Sequence, residues 1–194
     1  MAAVCVYCAS SQGIDPSFEE LAYQVGRRLA ADGHSLVSGG GRVSMMGAVA
    51  RGARDGGAFT LGVIPAHLVP LEVADTDADE LVVVDTMRER KRIMDERADA
   101  FLALPGGIGT LEELFEVWTA GSLGMHAKPV VVLDPPGGGA SFYAPLWSFL
   151  NELSERGFVR RAALESLHRV SSVDEAFAIF SDVSAHRVTD QRAG

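Results

Sequence analysis

The chain has 194 residues, 47% hydrophobic and 22% charged, a length and balance that suit one compact domain and exclude a disordered chain. Roughly 70% of the unfolded surface can be buried at this length, so no staple is needed. The net charge of −9 argues against a nucleic-acid surface, since phosphate backbones need clustered Lys and Arg, but leaves room for a small anionic ligand.

No apolar run approaches the ~18 residues of a membrane span. The start, Met1-Ala2-Ala3-Val4-Cys5, lacks the basic region of a signal peptide, so a cytoplasmic location is expected. The two cysteines, Cys5 and Cys8, form a C-x-x-C, yet Val4 to Cys8 reads as a strand rather than a helix start. An odd offset of three puts the thiols on opposite faces, which favours two small packed residues over a redox or metal pair.

In chain order, Val4 to Ala9 is the first strand and Ser10 to Asp15 a polar loop. Asp15-Pro16 is an N-cap followed by proline at the first helical position. Phe18, Leu21, Ala22, Val25 and Leu29 then make an apolar helix face, stopped by Asp32-Gly33. His34 to Val37 is a second strand. Ser38-Gly39-Gly40-Gly41 is a glycine loop, and a helix follows from Ser44 to Asp55. Phe59 to Ile64 is a third strand. The acidic segment from Ala66 to Asp79 reads as irregular. Leu81 to Val84 is a fourth strand, and Thr86 caps a helix to about Ala98. Ala100 to Leu104 is a fifth strand, followed by a second glycine loop, Pro105-Gly106-Gly107-Ile108-Gly109, and a helix carrying Leu111, Leu114, Phe115 and Trp118 at helical spacing. Pro129 to Leu133 is a sixth strand, Asp134 to Gly139 a loop, and Phe142 to Leu153 a helix face. Leu167 to Val170 closes the strands, and Ser172 with Glu175 is a capping box for a last helix through Phe180.

Apolar strands alternating with helices predict an α/β fold, a Rossmann-like doubly wound parallel sheet with helices on both faces. It forms a single domain over residues 1–183, with a frayed tail at 184–194. Ligands of such sheets bind beyond the carboxyl ends of the strands, the edge on which both glycine loops lie. The second loop is the central feature. Glycines let a backbone approach a ligand, and free N–H groups at a helix start favour an anion. Thr110 adds a hydroxyl and can cap the helix. Glu113 falls within the expected first turn, where acids also simply stabilise the helix dipole, and Glu112 would serve that purpose equally well.

Met87, Arg90, Lys91 and Met94 share one helix face, so two cations interrupt an apolar stripe near a helix N-terminus, where the dipole disfavours them. They either snorkel or pair with Glu89 or Asp95, or they face a ligand at the sheet edge. Other motifs fail. Asp75-Thr76-Asp77-Ala78-Asp79 begins like a calcium loop, but Glu80 and Thr86 occupy its sixth and twelfth positions, so a solvated loop is expected. No G-x-x-x-x-G-K-[ST] and no zinc spacing occurs. A dinucleotide site would use Gly107-Ile108-Gly109 and Asp134, but Glu112 replaces its third glycine and would face the pyrophosphate.

Pro105-Gly106-Gly107-Ile108-Gly109-Thr110-Leu111-Glu112-Glu113 matches the P-G-G-x-G-T-x-x-E signature of the LOG ("lonely guy") family, cytokinin riboside 5′-monophosphate phosphoribohydrolases often mislabelled lysine decarboxylases. Met87-Arg88-Glu89-Arg90-Lys91 resembles its M-H-x-R-K segment. Gly39-Gly40-Gly41 with Met46-Gly47 resembles its first glycine loop, and Gly62-Val63-Ile64-Pro65 its third strand end. The resemblance covers nearly the whole chain.

It implies hydrolysis of the N-glycosidic bond of a nucleoside 5′-monophosphate without metal or organic cofactor, in a homodimer. Arg90 and Glu113 match the catalytic pair. Glu72, Lys91, Gly107, Ile108, Gly109, Thr110 and Thr119 match positions lining the nucleotide site. Arg88 stands where histidine is usual, and Ser38 and Ser44 replace other residues around the first loop. Molybdenum-cofactor carriers resemble the same fold and share a P-G-G-x-G-T loop, but a carrier needs no Arg–Glu pair.

Overall fold

The structure, a computed structural model, describes residues 1–136 and 141–190, apart from the side chains of residues 71, 72, 182 and 184–190. Seven strands form one sheet: β1 (Ala3–Tyr7), β2 (Ser35–Ser38), β3 (Thr60–Pro65), β4 (Glu80–Val84), β5 (Ala100–Ala103), β6 (Val130–Leu133) and β7 (Leu167–Val170). The spatial order is β4-β3-β2-β1-β5-β6-β7 and every pairing is parallel. The expected doubly wound parallel sheet is therefore present.

The helices are α1 (Pro16–Ala31), α2 (Ser44–Asp55), α3 (Val69–Glu72), α4 (Met87–Arg97), α5 (Ile108–Ser122), α6 (Ala144–Glu155), α7 (Arg161–Glu165) and α8 (Val173–Asp190). Local chemistry fixes several starts. Asp15 accepts from the Ser17 N–H at 2.9 Å with Pro16 behind it. Thr86 accepts from the Glu89 N–H at 3.1 Å. Ser172 accepts from the Glu175 N–H at 3.2 Å, while the Glu175 carboxylate reaches back to the Ser171 N–H at 2.7 Å, one residue earlier than a capping box would have it.

Side-chain alternation along the strands divides the core into two layers. Val4, Val6, Leu36, Leu102 and Val131 pack with α1, α2 and α8. Cys5, Tyr7, Val37, Phe101 and Val132 pack with α4, α5 and α6. Cys5 is buried in the second layer, whereas Cys8, partly buried, packs against the first, so the thiols do face opposite ways. Each fully buried Leu or Phe contributes about 1.5–3 kcal/mol.

Four details differ from the sequence reading. Short helices α3 and α7 occupy stretches without apolar periodicity. The Asp75–Asp79 loop is not merely solvated: Asp75 is buried against Arg54 at 2.6 Å, and Asp79 accepts from the Thr60 N–H at 2.8 Å. Helix α8 runs past Phe180 to Asp190; of the expected tail, residues 191–194 lie outside the described residues, as do residues 137–139 of the loop after β6. Met87, counted in the buried stripe of α4, is 38% exposed.

The chain winds from β1 outward to β4, then returns to place β5 on the other side of β1. Loops leaving β1 and β5 therefore diverge at the carboxyl edge, where a crevice opens. At the opposite edge His34 is buried beside Phe177 and Phe180; its Nδ1 accepts from the Ala2 N–H at 3.2 Å and its Nε2 has no hydrogen-bond partner among the described residues. Burial holds its imidazole below the ordinary histidine value.

Candidate active site

The second glycine loop fills the β5 side of the crevice. The N-cap of α5 is Gly107, without a side-chain cap, so Thr110 does not cap the helix as expected. Thr110 is buried in the first turn beneath Gly106, where an added Cβ would fall 2.2 Å from its Oγ1. Cβ atoms at Gly107 and Gly109 would meet nothing within 4 Å, and neither residue has positive φ. Ile108 is 87% exposed at the mouth. The loop thus presents open backbone toward the crevice.

Arg90, on α4, is 6% exposed. Its Nε donates to the Val63 carbonyl at 3.0 Å and its Nη2 to the Gly39 carbonyl at 3.1 Å. These bonds tie α4 to the ends of β3 and β2. Its Nη1 lies 3.9 Å from Glu113 Oε1 and 3.9 Å from Met87 Sδ. Arg90 therefore pairs across the crevice, neither snorkelling nor bonding to Glu89 or Asp95. Because α5 begins at Ile108, Glu113 belongs to the second turn rather than the first, and no acid occupies the first turn. Dipole stabilisation does not explain it. Its side chain is 12% exposed, a carboxylate placed against a buried guanidinium.

The first glycine loop is built for that guanidinium. A Cβ on Gly39 would fall 1.9 Å from Arg90 Nη2 and 2.9 Å from Met46 Sδ. Gly40 has φ +74°, a conformation open to glycine at no steric cost, and its carbonyl accepts from the Asp75 N–H at 2.8 Å. Gly41 bridges Ala74.

Together these elements enclose a cavity of about 170 Å³. Of the residues singled out in the sequence, Gly39, Met46, Arg90, Gly107, Ile108, Gly109, Thr110 and Glu113 line it. Gly40 and Gly41 stand behind it. Lys91 and Thr119 line a neighbouring outer groove of about 820 Å³, which shares Tyr7, Glu112 and Glu113 with the cavity. Lys91 bridges Glu112 at 2.5 Å and Glu116 at 2.6 Å; partial burial pulls its ammonium down, but the two carboxylates outweigh this and hold it above the usual lysine value. Glu72 ends α3, and its side chain lies outside the described residues.

Sequence reasoning missed Tyr7, Cys8, Ser10, Ser11, Met87 and Met94 as lining residues. Tyr7 ends β1 and the next three follow it, and only the strand order reveals that this carboxyl end adjoins that of β5. Burial, first of all, raises the Tyr7 hydroxyl and the Cys8 thiol well above their ordinary values, so both are neutral near pH 7. The charged groups left facing the cavity are Arg90, Glu112 and Glu113. Asp134 is unsuited to a ribose. Its Oδ2 accepts from Ser141 Oγ at 2.7 Å and Arg169 Nη2 at 2.8 Å, and its Oδ1 from the Tyr143 N–H at 2.8 Å.

The family model described as possible lysine decarboxylase matches residues 46–180. A cytokinin riboside 5′-monophosphate phosphoribohydrolase of Mycobacterium marinum is 53% identical over 173 residues, covering 89% of this chain and 90% of its own length. One of Mycobacterium tuberculosis is 52% identical with the same coverage. The Oryza sativa enzyme of that name is 44% identical over 160 residues, 82% of this chain and 64% of its own. Among solved structures, the molybdenum cofactor binding protein of Rippkaea orientalis superposes with a TM-score of 0.70 at 21% identity, covering 94% of this chain and 96% of its own. At that identity the likeness shows the fold alone. By its matched residues and its closely similar relatives, the chain belongs to the LOG family of cytokinin riboside 5′-monophosphate phosphoribohydrolases.

Proposed function

We propose that this chain hydrolyses the N-glycosidic bond of a (prenylated) adenosine 5′-monophosphate, releasing the free base and ribose 5-phosphate. The observation that carries this reading is the buried Arg90–Glu113 pair facing an open glycine loop across one small cavity. The 52–53% identity to phosphoribohydrolases supports it.

The phosphate rests on the N–H groups of Gly107 to Thr110 at the start of α5. As the bond from C1′ to the base nitrogen lengthens, positive charge builds on the ribose, as in glycoside hydrolysis generally. Glu113 stabilises that charge and takes a proton from the attacking water. The water oxygen bonds to C1′, and the base leaves with the bonding electron pair and gains a proton from solvent, to which Glu113 then returns the proton it took from water. Arg90 holds Glu113 in place and anchors the walls of the cavity. Glu72 binds the ribose hydroxyls, and water is the only co-reactant.

The cavity of about 170 Å³ is smaller than the ~300 Å³ at which ligand pockets usually begin, and the outer groove continues it. A second copy of the chain laid over that groove completes the base and prenyl end of the site, so we infer a homodimer. Lys91 and Thr119 then face the part of the nucleotide that projects outward. No described helix is long and apolar enough to cross a membrane; the cytoplasm is the location we propose.

The test is chromatographic: incubation with AMP, isopentenyladenosine monophosphate, GMP and CMP, read as released base. Release from the adenine nucleotides supports the reading, and their ranking assigns the base. Tight nucleotide binding with no release from any of them would instead support a non-catalytic carrier.

A further inference from the structure

We infer that the hydroxyls of Ser10 and Ser11, on the loop after β1, are a second set of phosphate ligands facing the glycine loop after β5. This rests on the nucleotide-hydrolase reading of the same cavity. A dianionic phosphate is ordinarily met by Arg or Lys, but the cavity offers little. Arg90 Nε and Nη2 are committed to the Val63 and Gly39 carbonyls, and Nη1 faces Met87 and Glu113. Lys91 is turned into the outer groove between Glu112 and Glu116. Glu112 and Glu113 bring negative charge to the cavity wall.

The phosphate must therefore be held by neutral donors. The N–H groups of the α5 first turn supply one side. Ser10 and Ser11 line the same cavity, are exposed, and make no side-chain hydrogen bond to the described residues. Their loop is fixed to the glycine loop: the Ala9 N–H donates to the Pro105 carbonyl at 3.3 Å, and the Leu104 N–H to the Tyr7 carbonyl at 2.9 Å. Two serines thus line the same cavity as the open backbone of Gly107 to Gly109, with no side-chain partner among the described residues. A hydroxyl donates one proton and adds no charge, which suits a cavity where Arg90, the one guanidinium lining it among the described residues, is reserved for the chemistry, Arg88 and Arg92 lining the outer groove instead.

The experiment compares the intact protein with Ser10→Ala/Ser11→Ala and with Ser10→Thr/Ser11→Thr. It reads KM and kcat for AMP, and inorganic phosphate binding by calorimetry. Hydrogen bonds to a charged group imply a rise of about tenfold or more in KM and in the phosphate dissociation constant of the alanine variant, with kcat within a few-fold. The threonine variant, which keeps both hydroxyls, should recover most of the loss. Unchanged KM and unchanged phosphate affinity in the alanine variant would overturn the inference while leaving the hydrolase reading intact. Serine-dependent phosphate binding without base release would overturn the hydrolase reading and leave the anion site standing.

Discussion

The two glycine loops look alike in sequence and differ in what their glycines are for. In the first, Gly39 is demanded by the protein itself: Arg90 occupies the space a side chain would take, and Gly40 carries the positive φ that lets its carbonyl meet Asp75. In the second, Gly107 and Gly109 meet nothing and have ordinary backbone angles. Among the described residues neither strain nor packing explains their lack of side chains, and the function proposed gives that room to a ligand. The first loop builds the site, and in the function proposed the second receives the substrate.

The largest effect should come from the residue that joins the two. Replacing Arg90 by Ala removes the bonds to Val63 and Gly39 and strips Glu113 of its cation. Breaking a buried pair from one side costs about 3–5 kcal/mol, read as a lower urea midpoint, and activity should be lost with it. Next, Gly39→Ala should destabilise by about 1–3 kcal/mol, as overpacking does. The clash falls on flexible side-chain ends, so the fold should survive while Arg90 is displaced and kcat falls.

Gly107→Ala and Gly109→Ala sharpen the contrast. Both should leave stability unchanged, or raise it by up to about 1 kcal/mol at the helical position 109, while raising KM for AMP. Stability loss at these positions would erase the distinction between the loops. The smallest effect lies at the far edge of the sheet. His34 is depressed in the folded state, so on acidification the unfolded chain takes up its proton first. Its contribution is complete above the unfolded value near 6.5 and is lost as pH falls from there toward the folded value, at no more than ~1.4 kcal/mol per pH unit. His34→Gln should flatten that part of the stability profile without touching the site.

Most of the frame was legible because the inner strands are continuous apolar runs, buried on both faces, and the long helices carry a period of 3.6 in their apolar residues. Helices α3 and α7, of four and five residues, are too short to show a period. The site was half legible. The motif resemblance named Arg90 and Glu113, but sequence physics could not choose between Glu112 and Glu113, because both sit near a helix start and only the pairing across the crevice separates them. Lys91 and Arg90 are adjacent on one helix, yet α5 draws the first outward to Glu112 and Glu116 while the ends of β2 and β3 draw the second inward. Ser10 and Ser11 carry no motif of their own, and their place in the cavity follows from β5 lying beside β1.

The most direct test of the account is base release by Glu113→Gln. The substitution keeps the shape of the side chain and removes its charge and basicity. Turnover should fall by at least about a hundredfold, the scale of a lost general base, with AMP affinity within a few-fold of the unaltered protein and a urea midpoint lowered less than by Arg90→Ala, because Arg90 loses its counter-charge but keeps its bonds to the Val63 and Gly39 carbonyls. Full turnover in that variant would contradict the role given to Glu113, and with it the reading of the cavity as a glycosidic-bond hydrolase built on this pair.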